Sequence, residues 1–152
     1  MVLGGAEAVQ HHGIGRRDLL EIAAHQSGPL ALARAGVTHA DVDCCMIYDS
    51  YTITVLATLE ALGFCKPGEG GAFCADGRIG LGGALPINTD GGGLSSNHPG
   101  MRGMFLVIEA TKQLRGERGA AQVPDAEIAL VHGTGGMLGQ RHSGVTMVLG
   151  RA

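Results

Sequence analysis

CCMIYDSYTITVLATLEALG, residues 44–63, decides the fold. Cys44, Cys45, Met46 and Ile47 form a short unbroken apolar run, the pattern of a strand covered on both faces. From Thr52 to Leu62 the apolar residues Ile53, Leu56, Leu59 and Leu62 recur at helical spacing, and Gly63 with Pro67 beyond it stops the run. A covered strand that passes straight into a helix is the repeating unit of an α/β sheet, whose strands pair in parallel through right-handed crossovers.

The rest of the chain extends this unit in both directions. Upstream, Val2 to Gln10 is predicted as the opening strand and His11 to Gln26 as a polar connection. A short helix over Leu30 to Ala35 follows, entered at Gly28-Pro29 and closed by Gly36. Downstream, Lys66 to Gly83 is predicted as loop, Leu85 to Ile87 as a short strand, and Gly100 to Arg115 as a helix. Met101, Met104, Phe105, Ile108, Ala110 and Leu114 are that helix's apolar stripe. Ile128 to Val131 is predicted as a strand running into HGTGGMLGQRHSG, and Val145 to Leu149 as the last strand. The expected architecture is β-α-β-α-β-α-β-β, a mixed five-stranded sheet covered by helices, with the last two strands free to pair antiparallel. Three loops, YDSY, SSNHPG and HGTGG, would follow the second, third and fourth strands and meet at the carboxyl-terminal edge, where open α/β sheets bind ligands.

Composition removes several function classes. With 152 residues the chain is one domain's length, and 45% apolar residues suffice for a core. A net charge of −3 and only 3% aromatic residues give no basic surface and almost no rings for base stacking, so neither nucleic acid nor a membrane surface is an expected partner. No apolar run is long enough to span a bilayer and no basic segment precedes an apolar one at the start, which leaves a cytoplasmic location as the expectation. The four cysteines lack zinc-ligand spacing, and no metal is expected. Cys44 and Cys45 read as small core residues facing opposite sides of a strand. Cys65 or Cys74 would act as a nucleophile only beside a base.

The stretch NTDGGGLSSNHPGM, residues 88–101, carries the chemistry. Gly91, Gly92 and Gly93 remove three side chains where backbone can approach a ligand, and His98 stands at or just before a helix N-terminus with Pro99 in its first turn. An imidazole held there can serve as general acid or base, or donate a hydrogen bond to a developing oxyanion. The same pattern also fits a glycine-rich loop that ends in a helix cap, with His98 a surface residue.

Taken in order, GPLALARAGVTHADVD, YDSYT, EALGF, CKPGEGG, NTDGGGLSSNHPGMRGM, EATKQLRGERGAAQV and LVHGTGG resemble the C-terminal half of the thiolase superfamily over nearly the whole chain. The likeness is strongest to sterol-carrier-protein type thiolases and thiolase-like acetyl-CoA acetyltransferases. It implies a thiolase-like half-domain handling coenzyme A thioesters as substrates, with no covalently bound cofactor. By this resemblance His98 stands at the Gly-His-Pro histidine, which activates the reactive cysteine and lines the oxyanion hole. Tyr48-Asp49-Ser50-Tyr51 stands where ordinary thiolases read Asn-Glu-Ala-Phe and the sterol-carrier type reads His-Asp-Cys-Phe. Tyr48 replaces the Asn or His that orients a water or donates to the thioester oxygen, a bond a phenol also makes. Ser50 replaces a cysteine, and its hydroxyl is a far weaker acid. His132 matches the histidine that the sterol-carrier type carries in place of the second cysteine. Asn97, Gly92 and Gly93 are expected at the substrate, and Gly135 and Gly136 are expected to supply N–H donors or room. His11, His12, His25, His39 and His142 match no motif and read as surface residues.

The family's nucleophilic cysteine and most of its coenzyme A contacts lie in the N-terminal half, which these residues do not include. The expected partners are therefore acyl-CoA and a thiolase N-terminal half or same-family subunit. Some relatives also use a small OB-fold and zinc-ribbon partner. A tyrosine-based, thiolase-like aldolase and a non-catalytic interaction module are the competing expectations. The module rests on the apolar face that the absent half would leave open.

Overall fold

The computed structural model describes residues 1–11, 20–136 and 141–152. Four strands, β1 (Val2–His11), β2 (Cys44–Ile47), β3 (Ile128–Gly136) and β4 (Arg141–Gly150), form one sheet in the order β1-β4-β3-β2. β2 and β3 pair in parallel, while β4 is antiparallel to both β3 and β1. The mixed α/β architecture is the expected one, with one strand fewer. Leu85 to Ile87 contributes a single parallel bridge, Cys45 to Ile87. Pro86 has no N–H to donate, and Asn88 turns left-handed at φ 48°, so the extended run ends there. The Asn88 side-chain amide then takes over the ladder, accepting from Ile47 N–H at 2.8 Å and donating to Ile47 C=O at 2.8 Å.

Alternation sorts the sheet into two cores. Cys45, Ile47, Leu130 and Val148 face α1 (Ala24–Ala35) and α2 (Thr52–Leu62), against Ala31, Leu32, Leu59 and Leu62. Cys44, Met46, Ala129, Val131 and Leu149 face α4 (Arg102–Leu114), against Leu106, Ala110 and Leu114. Both thiols of β2 are therefore core groups, and burial pushes Cys44 up to about 12 and Cys45 well above the usual thiol value. A short helix, α3 (Gly70–Cys74), interrupts the segment expected as loop.

Helix α1 begins six residues before its expected start and holds Pro29 inside it. Its buried positions are Ala24, Ser27, Gly28, Ala31 and Leu32, a helical face made of small residues that apolar periodicity does not register. The small face lets α1 lie directly on β1. A Cβ at Gly4 would come within 2.5 Å of the Ala31 carbonyl oxygen and 2.6 Å of the Ala35 nitrogen, both backbone atoms. Gly4→Ala must push helix from strand, at an expected cost of roughly 1–3 kcal/mol. A thermal melt should show a fall in Tm on the order of 2–10 °C, with Gly5→Ala, whose Cβ would meet nothing closer than 3.6 Å, as the unaffected comparison.

Helix α4 buries Ala110 and Leu114 of the expected stripe but turns the rest of it outward. Its inward face carries Arg102, Leu106, Glu109, Ala110, Gln113 and Leu114, whereas Met101, Met104, Phe105 and Ile108 of the apolar stripe are exposed. Hydrogen bonds neutralise the buried polar face: Glu109 accepts from Arg118 at 2.8 Å, and the Gln113 amide joins the Thr89 hydroxyl, the Ala121 carbonyl and the Val123 N–H. Ile53 of α2 is likewise exposed, and Leu56 is half-buried. HGTGG, expected as loop, continues β3 as far as Gly136. No helix among the described residues is long and apolar enough to cross a membrane.

Candidate active site

Because β2 and β3 run parallel, the residues leaving both strands arrive at one edge of the sheet. Tyr48, half-buried, continues β2 by donating its N–H to the His132 carbonyl at 2.9 Å. His132 itself is fully buried within β3, and its Nδ1 shares a hydrogen bond with the Thr146 hydroxyl at 2.8 Å. Thr146 in turn shares one with Ser27 of α1, also at 2.8 Å. This buried chain fixes the plane of the imidazole from the side of β4 and α1.

After Tyr48 the chain turns outward. Ser50 shares a hydrogen bond with the Thr54 hydroxyl at 3.0 Å in the first turn of α2, and Tyr51 is exposed. The Tyr51 and His98 rings face each other with centroids 6.4 Å apart at a tilt of 41°. His98 and Asn97 are exposed, and the helix that follows begins at Arg102 rather than directly after Pro99. Among the described residues no hydrogen bond joins His98 to Tyr48 or His132. The structure joins Tyr48 to His132 through the backbone alone, with the phenol on the α4 face of the sheet and the imidazole on the α1 face, and it sets the Tyr51 ring beside that of His98.

Gly92 and Gly93 do not line open space. Both are buried against the carboxylate of Asp49, which accepts from Gly93 N–H at 2.8 Å and Leu94 N–H at 3.0 Å. Asp49 is itself buried, and the nearly buried Arg102 guanidinium lies 3.7 Å from it while forking onto Asp90 at 2.6 and 3.1 Å. Burial acts to raise the Asp90 carboxyl, but the Arg102 hydrogen bonds and the Gly92 N–H outweigh it and hold Asp90 below the ordinary value of 3.8. Sequence reading passed over Asp49, Asp90 and Arg102. The available signal was a carboxylate directly after a fully covered strand, a place where a charge requires a partner.

Gly135 and Gly136 belong to β3 and pair with Ser143 and His142 of β4. Gly135, with Gly103, Gly133 and Gly144, floors a groove of about 480 Å³ between the first turns of α4 and strands β3 and β4, walled by Met101 and Met104. His25 and His39 are at the surface, although His39 bonds the Leu62 carbonyl at 2.8 Å and so satisfies the end of α2. His12 and the side chains of His11 and His142 lie outside the described residues. Burial pushes the Cys65 and Cys74 thiols up.

A model of the thiolase C-terminal domain-like family matches residues 6–151. Acetyl-CoA acetyltransferase of Methanothermobacter thermautotrophicus is 37% identical over 123 residues, which are 80% of this chain and 32% of that protein. Sterol carrier protein 2 of Rattus norvegicus is 42% identical over 103 residues, 67% of this chain and 19% of that protein. Among solved structures, the Ltp2-ChsH2(DUF35) aldolase superposes with a TM-score of 0.83 at 33% identity, over 99% of this chain and 39% of that one. The chain thus spans well under half the length of each of these relatives.

Proposed function

The chain belongs to the thiolase C-terminal domain-like family, and from that premise we propose that it is the C-terminal domain of a thiolase-like acyl-CoA acyltransferase. In this reading the substrate is a 3-ketoacyl-CoA or acetyl-CoA. His98 hydrogen-bonds the thioester oxygen or takes the nucleophile's proton, and Tyr48 and His132 complete the proton-transfer site. Ser50, engaged with Thr54, serves that site at most as a hydrogen-bonding group. The observation that supports the reading is that the chain leaving β2 and the Asn97-His98 loop meet at one edge of the sheet, where the Tyr51 and His98 rings face each other. Asn97 and the backbone around Gly135 and Gly136 then face the acyl group.

The exposed stripe of α4 supports a same-family partner domain. Met101 is 63% and Met104 57% exposed, and Phe105 and Ile108 extend the patch, an apolar surface that a soluble domain ordinarily covers. In this reading a thiolase N-terminal half covers that surface. The test is the native assembly of this chain with that half, incubated with acetoacetyl-CoA and free coenzyme A. Acetyl-CoA formation and an acyl adduct on a cysteine of the other half are the expected results, read by intact mass.

A thiolase-like aldolase is the second reading, favoured by the Ltp2-ChsH2(DUF35) aldolase superposition and by the Tyr48 and Tyr51 pair. Its signature is no adduct, with cleavage of a 3-hydroxyacyl-CoA lost on Tyr48→Phe. A stable complex with neither activity assigns the chain to a non-catalytic interaction module.

A further inference from the structure

Between Asp90 and Pro99 the chain forms a ten-residue excursion whose tip holds Asn97 and His98, and its own hydrogen bonds do little to locate it. Gly92 N–H bonds Asp90, the Ser95 and Ser96 hydroxyls both donate to the Gly92 carbonyl, and Ser96 N–H donates to the Gly93 carbonyl. These bonds shape the loop without tying it to anything. Among the described residues, the side chains outside the loop that hydrogen-bond it are Asp49, through the N–H groups of Gly93 and Leu94, and Arg102, through Asp90. The remaining external bonds, Gly91 N–H to Asn88 and Arg102 N–H to the Pro99 carbonyl, are local turns at the two ends.

We infer that Asp49 and Arg102 are positioning residues that clamp this loop so that His98 stands at a fixed place on the sheet edge. The proposal rests on the reading of His98 given above. The geometry is that of a two-point tether. Asp49 is anchored at the end of β2, the most completely buried strand, so its carboxylate moves little relative to the sheet. Arg102 lies in the first turn of α4, where helical side chains lean back toward the N-terminus, and so reaches the start of the loop rather than the next turn of its own helix. One carboxylate receives two charge-assisted N–H bonds, and one guanidinium forks onto the second carboxylate, which fixes direction as well as distance. Gly92 and Gly93 are then required by the clamp rather than by a ligand, since side chains there would occupy the place of the carboxylate.

The test has two arms that fail independently. In the first, amide hydrogen exchange is measured on the full chain and on Asp49→Asn. Gly93 and Leu94 are expected to exchange roughly 10–100-fold faster in the variant, with Met46 and Val131 at wild-type rates. In the second, Asp49→Asn in the native assembly is expected to lower kcat about 10–100-fold while KM changes little, because the loop binds substrate but spends less time in the reactive placement. If Asp49→Asn fails to fold, Arg102→Lys takes its place. It keeps the charge but loses the fork, and Gly92 is then the reporting amide. Restoration of most of kcat by Asp49→Glu would further support a positioning carboxylate. Wild-type exchange at the reporting amides overturns the clamp, as does accelerated exchange with wild-type kcat. Accelerated exchange in an assembly whose parent shows no thiolysis overturns the reading of His98 and leaves the clamp standing.

Discussion

His98→Ala in the native assembly is expected to lower thiolysis of acetoacetyl-CoA by roughly 10²–10⁴-fold, the range for loss of a positioned acid or base. The effect should fall on kcat, with the melting temperature unchanged. That separation follows from where His98 sits: it is exposed, outside both cores, and among the described residues its ring faces that of Tyr51 with centroids 6.4 Å apart. A residue so placed contributes almost nothing to folding, so a large loss of turnover can only report the chemistry. Steady-state kinetics and a melt of the same sample settle the point. Turnover within about threefold of wild type would assign the acid-base role elsewhere, to Tyr48 or His132 at the buried part of the edge.

Gly92→Ala carries the largest expected structural effect. Gly92 has φ of +73°, and a Cβ added there would lie 2.1 Å from Asp49 Oδ2, 3.0 Å from its Cγ and 3.4 Å from the Asn88 amide nitrogen. A flexible side chain could swing away at small cost, but this carboxylate is buried and engaged by two N–H groups. Moving it forfeits those bonds, and the left-handed backbone adds strain. The two together amount to about 2–5 kcal/mol. In a domain of this size that is a fall in Tm on the order of 5–15 °C. Gly100→Ala is the matched comparison, because a Cβ at Gly100 meets nothing within 4 Å and its φ is not left-handed; it should leave Tm within roughly 1–2 °C. A melt in which the two variants behave alike would remove Asp49 as a rigid wall behind the loop.

Much of the fold was legible because it depends on local periodicity. The covered run Cys44–Ile47 and the helix over Thr52–Leu62 closed by Gly63 appear with the expected bounds. The opening strand and the helix after the NHPG stretch lie within a residue or two of theirs. Where side chains on one face are small or polar, periodicity failed. The first turns of α1 were missed because Ser27 and Gly28 are core residues there, and Leu85 to Ile87 contributes a bridge where a strand was expected. HGTGG looked like a loop because glycines break strands in isolation, yet nine consecutive pairings with β4 hold Ile128 to Gly136 extended.

The candidate site divides the same way. Its residue types and their order, Tyr48, the glycine triplet, His98 and His132, are properties of the chain and were available without coordinates. Which of them are neighbours was not. The parallel register of β2 and β3 carries the Tyr48 N–H to the His132 carbonyl across 84 positions of sequence while leaving the two side chains on opposite faces of the sheet, and the hidden tether from Asp49 to the Gly93-Leu94 backbone spans 44. Most of all, the sequence determined that α4 would be amphipathic, and only the tertiary structure decided which face turns inward. Hydrophobicity alone assigns the methionine stripe to the core. Arg102, Glu109 and Gln113 share the inward face with Leu106, Ala110 and Leu114 because each finds charge or hydrogen-bond partners on the loops packed around them, and a buried polar group with its partners in place is stable where the same group without them is not.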